Sequence, residues 1–217
     1  MNTLASAPVS TLLARLFAEA AVADRNLREE LGSLPPALRS PTTREYRELY
    51  SRAKDRYLPV SSETGKLLYL LARSSRAKSV VEFGTSFGIS TIHLAAALRD
   101  NGGGRLVGSE LEPTKAARAR QHLAEADLSE GVEIREGDAL ESLGRDLPAR
   151  VDLVLLDGAK VLYPRILSLL EPHLADGALV VADNADMCPD YVARVRNPAA
   201  YVSVPFGPDV EVSMWVG

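Results

Sequence analysis

The chain has 217 residues, of which 46% are hydrophobic and 25% charged, so it can bury one substantial core and is too short for two full domains. Its formal net charge of -4 gives no general attraction to nucleic acid or to an anionic membrane, and we expect neither as a partner. With one cysteine, no apolar run of about 20 residues and no recognisable signal peptide, the sequence predicts a cytoplasmic protein without disulfides or spanning helices.

The first part of the chain is predicted to be helical. From Thr11 to Leu31, leucine and alanine recur at helical spacing with charged residues between them, which predicts one helix with a single apolar face. That face can pack on its own domain or mediate a homodimer, and we favour the homodimer. Prolines interrupt the pattern, a second and more polar helix is predicted at residues 42–57, and a third at Ser62–Arg73.

From Ser79 onward, short apolar runs alternate with helical segments, a pattern typical of buried parallel strands and crossover helices. The predicted strands are Ser79–Phe83, Arg105–Ser109, Val132–Arg135, Val151–Leu156 and Ala178–Ala182. The predicted helices between them are Thr91–Leu98, Thr114–Ala126, Ala139–Leu143 and Tyr163–Leu174. Two further runs, Tyr201–Val204 and Val210–Val216, predict a terminal hairpin.

These elements predict an α/β fold. We expect a Rossmann-like, doubly wound sheet of about seven strands at residues 59–217. An N-terminal helical extension at residues 1–58 would pack on this core and provide lid or dimer contacts. Tyr46, Tyr50, Arg56 and Tyr57 are lid candidates by position, with Met187 opposite them.

The segment from Val80 to Ser90 places two glycines on the turn from the first strand to the next helix. There the backbone can approach a ligand closely and the helix N-terminus presents free N–H groups, which predicts a nucleotide cofactor. The spacing Gly84-x-x-x-Gly88 differs from the pattern that binds a pyrophosphate, and the preceding Glu82 would repel one and attract a cationic amino acid moiety. Alone, the two glycines are also compatible with a simple tight turn.

The next two strand ends strengthen the cofactor hypothesis. Glu110 ends the second strand, where a carboxylate can accept both hydroxyls of a ribose. Asp138 and Ala139 follow the third strand, where a carboxylate or a backbone amide can reach an adenine edge. Since the carboxyl ends of parallel strands share one edge of the sheet, these residues predict a single site, and we interpret its cofactor as S-adenosylmethionine.

The fourth and fifth strand ends carry polar residues of another kind. Asp157 ends the fourth strand and Lys160 follows it, while Asp183 and Asn184 end the fifth strand. Two carboxylates and an amide oxygen form a hard oxygen set, suited to Mg²⁺. Either aspartate alone is more simply explained as a helix cap, but the set together favours a divalent metal.

Four segments in this order resemble the catechol and caffeoyl-CoA family of cation-dependent O-methyltransferases, over roughly Pro59 to the C-terminus. They are Pro59-Val-Ser-Ser-Glu-Thr-Gly-Lys66, Glu82-Phe-Gly-Thr-Ser-Phe-Gly-Ile-Ser90, Leu156-Asp-Gly-Ala-Lys-Val-Leu-Tyr163 and Ala182-Asp-Asn184. The resemblance implies methyl transfer from S-adenosylmethionine to a hydroxyl of a small, catechol-like aromatic acceptor. It also implies a class I methyltransferase fold.

The resemblance assigns roles to individual residues. Asp157, Asp183 and Asn184 would hold Mg²⁺ or another divalent cation, and Asp157 would also contact the cofactor. Lys160 would be the general base, with a pKa depressed by the neighbouring cation. The remaining cofactor contacts would be Glu110 on the ribose, Leu111 beside the adenine, and Val60, Gly84 and Ser90 at the methionine end.

The sequence also departs from this family. Ala159 stands where the catechol enzymes carry an aromatic residue that stacks on adenine, which predicts weaker cofactor binding on that face. The hairpin connection from Phe206 to Val210 is shorter than in the catechol enzyme, so the acid that grips the second catechol oxygen there has no clear counterpart here, and Glu211 is a candidate only in name. A metal-independent small-molecule methyltransferase of the same fold and a non-catalytic protein that binds S-adenosylmethionine remain alternatives, whereas the glycine spacing disfavours an NAD-dependent dehydrogenase.

Overall fold

The computed structural model describes residues 2–33 and 45–217, apart from the side chains of residues 28, 30 and 31. The prolines that were expected to end the first helical pattern, and the first residues of the second predicted helix, lie outside the described residues. Among the described residues, no helix combines the length and the apolar character needed to cross a membrane.

Seven strands form one sheet in the order β3-β2-β1-β4-β5-β7-β6. They are β1 (Ser79–Phe83), β2 (Arg105–Glu110), β3 (Val132–Glu136), β4 (Val151–Leu156), β5 (Leu174–Ala182), β6 (Tyr201–Phe206) and β7 (Val210–Trp215). Strands β1 to β5 are parallel, and the hairpin of β6 and β7 adds antiparallel to β5. The strand order reverses at β1 and β4, so their carboxyl ends form the crevice where such sheets bind ligands.

The described helices lie on both faces of the sheet. They are α1 (Ala7–Ala23), α2 (Leu27–Ser33), α3 (Tyr46–Arg52), α4 (Ser62–Ser74), α5 (Ile89–Asp100), α6 (Pro113–Glu125), α7 (Ala139–Ser142), α8 (Tyr163–Leu170) and α9 (Pro189–Val195). Because side chains alternate across a strand, neighbouring residues of β1 enter different cores. Val81 joins the cluster under α8 and α9, whereas Val80 joins the one under α4 and α5. The prediction of a Rossmann-like, doubly wound fold is confirmed.

The prediction of one continuous helix at Thr11–Leu31 is wrong, because the structure has two helices there. Helix α1 ends at Ala23, and Asp24 leaves the helical path. Its carboxylate accepts from the backbone amides of Tyr57 at 3.0 Å and Leu58 at 2.8 Å. This contact fixes the chain where it enters the core. The second predicted helix ends early, at Arg52, before the residues that Asp24 binds.

The region around β5 differs from the prediction at both ends. Helix α8 ends at Leu170 because Pro172 follows, and a 3-10 turn at Glu171–His173 leads directly into β5 at Leu174. After β5, the short helix α9 was not predicted. Its Pro189 occupies the first helical turn, where a missing amide hydrogen costs nothing, and Tyr191 and Val195 are buried.

The apolar face of α1 packs within the chain. Leu12 and Leu16 are 1% and 0% exposed and belong to a core cluster with Ile92 of α5 and Leu123 of α6. Their burial leaves this face unavailable to a second copy of the chain. The homodimer therefore gains no support from α1 and stays a prediction.

Candidate active site

Three adjoining cavities lie along the carboxyl ends of the strands. The inner cavity measures about 60 Å³ and lies between the tips of β1, β2 and β4. The outer cavity measures about 890 Å³ and opens beyond β4 and β5. The side cavity, of about 10 Å³, lies beside the loop that follows β1. Asp157 lines all three, and among the described residues it is the carboxylate at which these spaces meet.

The predicted site residues divide among these cavities. The inner cavity is lined by Gly84, Glu110, Leu111, Ala139 and Asp157, and the side cavity by Val60, Gly84, Ser90 and Asp157. The outer cavity is lined by Asp157, Lys160, Asp183 and Asn184. Glu82 and Asp138 line none of the three.

The loop after β1 brings its backbone against the end of β4. Gly84 has a φ of 100°, and a Cβ built on it would lie 2.6 Å from the backbone of Asp157 and of Gly158. The Asp157 amide donates to the carbonyl of Phe83 at 2.8 Å. A side chain at residue 84 would separate the two strand tips, and glycine allows them to meet.

Glu82 lies beneath this loop. Its carboxylate accepts hydrogen bonds from the hydroxyls of Thr85, Ser90 and Thr91 at 2.8, 2.7 and 2.6 Å. Burial raises the pKa of Glu82 to about 7, although these hydroxyls favour its charged form. The carboxylate thus ties the loop to the start of α5, and in this arrangement it does not face a ligand as we expected.

Glu110 is held at the end of β2 by two backbone amides. The amide of Ser86 donates to Oε2 at 2.6 Å and that of Glu112 to Oε1 at 2.8 Å. Burial raises the pKa of this carboxyl, against the two amides and the charge of Lys115. Each carboxylate oxygen has more than one acceptor direction, so Glu110 can still accept hydroxyl groups from the inner cavity.

Asp138 caps α7 by accepting from the Leu140 amide at 2.9 Å. Its other oxygen accepts from the Tyr46 hydroxyl at 2.8 Å and from the Arg47 guanidinium. Asp138 therefore meets α3, while its neighbour Ala139 contributes to the cavity wall.

Lys160 and Asp157 form a buried ion pair. The Nζ–Oδ1 distance is 2.9 Å, and the two side chains are 14% and 9% exposed. Burial disfavours the ammonium, but the Tyr163 phenol and the Asp157 carboxylate outweigh it, so the pKa of Lys160 lies above its usual range. This direction holds without a cation, so the depression of the Lys160 pKa by a neighbouring divalent cation stays a prediction.

Asp183 and Asn184 stand beside this pair. Strands β4 and β5 place Leu156 opposite Ala182, so the residues that follow them are neighbours. Burial, reinforced by the charge of Asp157, raises the pKa of Asp183 to about 7. Asn184 has a φ of 49°, a left-handed conformation that asparagine tolerates better than most residues. In residues 2–33 and 45–217, no group of three or more His, Cys, Asp or Glu could hold a metal, so the predicted set depends on its amide oxygen.

Several cavity residues carried no clear signal in the sequence. Lys115 of α6 is 3% exposed and lines the inner cavity, with its Nζ 3.4 Å from the Ser86 hydroxyl. It stands in a strongly polar helix, where a lysine is ordinarily solvated. Tyr46 and Tyr50 were lid candidates by position alone, and both line the inner cavity.

Comparisons with known proteins find similarity to methyltransferases. A family model described as a methyltransferase domain matches residues 81–185. A catechol O-methyltransferase from Niastella koreensis is 37% identical over 130 residues, covering 58% of this chain and 58% of that protein. A catechol O-methyltransferase from Mycobacterium tuberculosis is 35% identical over 127 residues, covering 58% and 57% of the two chains.

Among solved structures, the O-methyltransferase TomG from Streptomyces achromogenes, involved in tomaymycin synthesis and crystallised in complex with SAM, is 28% identical. The comparison covers 85% of this chain and 92% of TomG with a TM-score of 0.67. This chain spans less than two thirds of the length of the two curated relatives, 58% and 57%. The residues matched by the family model, 81–185, include the loop after β1 and the carboxyl ends of β1 to β5. In the sequence of residues 81–185 and in its fold, the chain is similar to class I S-adenosylmethionine-dependent O-methyltransferases.

Proposed function

We propose that this protein transfers a methyl group from S-adenosylmethionine to a hydroxyl of a small, catechol-like aromatic acceptor, with a divalent cation. The observation that carries the proposal is the position of Asp157, which lines the inner, outer and side cavities together. Methyl transfer requires a donor and an acceptor held end to end, and positioning of this kind supplies much of the rate. A carboxylate shared by the three cavities marks the place where both would meet.

The residues that line the inner and side cavities suit the chemical groups of the cofactor. Glu110 would accept the ribose hydroxyls, and Leu111 and Ala139 would flank the adenine. Val60, Gly84 and Ser90 would line the methionine end, next to Asp157. The cofactor supplies a sulfonium methyl group that needs no further activation.

The outer cavity suits the acceptor. Its volume of about 890 Å³ is in the range of small-molecule sites. Apolar side chains form much of the wall, among them Leu49, Leu58, Val161 and Met187, while Asp157, Lys160, Asp183 and Asn184 supply polar groups. An aromatic ring carrying adjacent hydroxyls matches that division.

The same polar residues suit a divalent cation. Asp157 and Asp183 are buried carboxylates that repel each other, and burial raises the pKa of both. A cation held by them and by Asn184 would lower the pKa of the acceptor hydroxyl and, by repelling a second positive charge, that of Lys160. Neutral Lys160 would then accept the hydroxyl proton and leave the oxygen free to attack the methyl carbon.

One observation favours a second candidate, a metal-independent methyltransferase. Lys160 already compensates the charge of Asp157 at 2.9 Å. As an ammonium, Lys160 would stabilise an acceptor phenolate directly, without a cation. The two candidates share the cofactor, the acceptor cavity and the reaction, and differ in the need for a divalent ion.

Label transfer tests the proposal. The protein is incubated with S-adenosylmethionine labelled in the methyl group and with a panel of catechols, and matched monophenols serve as control acceptors. We expect labelled methyl ether from the catechols and far less from the monophenols, because two adjacent oxygens bind a cation together. The absence of label in every acceptor, with S-adenosylhomocysteine binding intact, would contradict methyl transfer to this acceptor class.

A further inference from the structure

Helix α3 closes the inner cavity from outside the strand tips. Its tyrosines Tyr46 and Tyr50 lie one helical turn apart, and both line the cavity. Tyr46 is 5% exposed and belongs to the same core cluster as Ala139, Ala159 and Leu162. The opposite walls are tips of β1, β2 and β4, held by the sheet, so α3 is the wall least fixed by backbone pairing.

The inner cavity is too small for an adenosine in this conformation. A volume of about 60 Å³ has room for a few water molecules. Sites that enclose ligands of cofactor size measure about 300 Å³ or more. The rings of Tyr46 and Tyr50 form part of the cavity wall, so displacement of α3 would enlarge the cavity.

The Tyr46 side chain resembles adenine in its flat ring and in its hydrogen-bond donor. Its hydroxyl donates to Asp138 Oδ2 at 2.8 Å, and the guanidinium of Arg47 donates to the same oxygen. Adenine is likewise a flat aromatic ring with a hydrogen-bond donor at its edge. The small side chain at Ala159, itself 5% exposed, leaves room for an aromatic ring on this side of the cavity.

Among the described residues, α3 is held by packing of Tyr46 and Tyr50 against the core and by hydrogen bonds near the surface. Tyr46 is the one buried side chain of this helix. Tyr50 donates to the carbonyl of Gly158 at 3.2 Å, and the Ser51 hydroxyl donates to Glu112 Oε1 at 2.7 Å. An element held by two rings and by exposed or half-buried hydrogen bonds opens at a lower free-energy cost than strand tips paired within the sheet.

We propose that α3 is a displaceable plug: Tyr46 and Tyr50 occupy the adenosine part of the cofactor site, and S-adenosylmethionine binds only after α3 moves out. This inference rests on the proposed function. The observed affinity for the cofactor is then the intrinsic affinity multiplied by the fraction of molecules in which α3 is open. A change that weakens the plug raises the affinity, whereas loss of an ordinary binding residue lowers it.

Titration calorimetry with S-adenosylhomocysteine tests the sign of this effect. Tyr46→Phe removes the hydroxyl, which donates to Asp138 and accepts from Arg47 Nε at 3.3 Å, and Tyr46→Ala removes the ring as well. We expect about tenfold tighter binding for Tyr46→Phe, since a hydrogen bond to a charged group shifts an equilibrium by about that factor or more. Tyr46→Ala should bind at least as tightly, and thermal melting verifies that both variants fold.

Tyr69→Phe is the matched control. Its hydroxyl donates to Asp100 at 2.6 Å, so the variant loses a tyrosine–aspartate hydrogen bond outside the three cavities, and its affinity should equal that of the wild type. Unchanged or weaker binding in both Tyr46 variants would overturn the plug, and weaker binding would make Tyr46 part of the adenine site. Absence of binding in the wild type and in both variants would instead overturn the proposed function, while binding in the variants alone would support both.

Discussion

Lys160 Nζ lies 2.9 Å from Asp157 Oδ1, in a pair that is almost closed to solvent and borders the outer cavity. Removing one member of a buried pair leaves the other charge without compensation, so each fixes the ionisation of its partner. Asp157 also lies against the loop after β1 through the close approach of Gly84. The pair thus connects the loop of the cofactor site with the polar groups of the outer cavity.

Replacement of Lys160 is expected to remove catalysis and to spare cofactor binding. For Lys160→Met we expect kcat to fall about 100-fold or more, the usual contribution of a positioned general acid or base. Affinity for S-adenosylhomocysteine should stay close to that of the wild type, because Lys160 does not line the inner or the side cavity. Lys66→Met, at an exposed position of α4, is the control. A Lys160→Met enzyme with wild-type kcat would refute the assigned role.

A methyl group at Gly84 should separate the tips of β1 and β4. Gly84→Ala places a Cβ 2.6 Å from the backbone of Asp157, whereas Gly103, also at positive φ, has no atom within 4 Å of such a Cβ. Both alanine variants bear a conformational cost of about 1 to 3 kcal/mol. Only Gly84→Ala should lose further stability and affinity for S-adenosylhomocysteine, as measured by denaturant unfolding and calorimetry. Equal behaviour of the two variants would show that the close approach is unimportant.

Glu82 should make stability depend on pH. Its pKa rises from the usual 4.5 to about 7 in the folded protein because of burial. The carboxyl group therefore contributes stability that is fully present below pH 4.5 and is lost as the pH rises to about 7, a difference of about 3 kcal/mol. Glu82→Gln does not titrate, so the wild type should lose melting temperature relative to this variant between about pH 5 and about pH 8.

The exposed variant Glu141→Gln controls for a general effect of removing a carboxylate. Its melting curve should follow that of the wild type across the same pH series. A constant difference between wild type and Glu82→Gln at every pH would contradict the burial of an ionisable Glu82.

Helix α1 is expected to be part of the folded core. Leu16 is fully buried, so Leu16→Ala should lower the free energy of unfolding by about 2 to 5 kcal/mol. Val22 of the same helix is 65% exposed, and Val22→Ala should change it by about 0.5 kcal/mol or less. Denaturant unfolding measures both, and light scattering should show the same mass for each as for the wild type. Similar losses in the two variants would argue against this packing.

Buried parallel strands were the elements best predicted from the sequence. The predicted bounds of β1 and β4 match the structure, because both lie in the interior of the sheet and are apolar almost throughout. Parallel strand tips share one edge, so the grouping of Asp157, Asp183 and Asn184 also followed from position alone. The topology determined which side chains meet.

Features that depend on distant contacts were not predictable. Helix α1 ends where Asp24 binds the backbone amides of residues 57 and 58, and the local sequence does not predict that contact. Tyr46 meets Asp138 across 92 positions of sequence. Glu82 was expected to face the ligand, but three hydroxyls of its own loop and helix donate hydrogen bonds to its carboxylate. Local sequence predicts which residues are polar, whereas tertiary packing determines which of them remain open to a ligand.

Removal of divalent cations from the methyl-transfer reaction tests the central claim most directly. The protein is dialysed against EDTA, and its transfer of labelled methyl to a catechol is measured before and after Mg²⁺ is restored. If Asp157, Asp183 and Asn184 hold a catalytic cation, activity should disappear on dialysis and return with Mg²⁺, and Asp183→Asn should show little recovery. Full activity in metal-free buffer would contradict the cation-dependent mechanism and favour Lys160 acting alone on the acceptor oxygen.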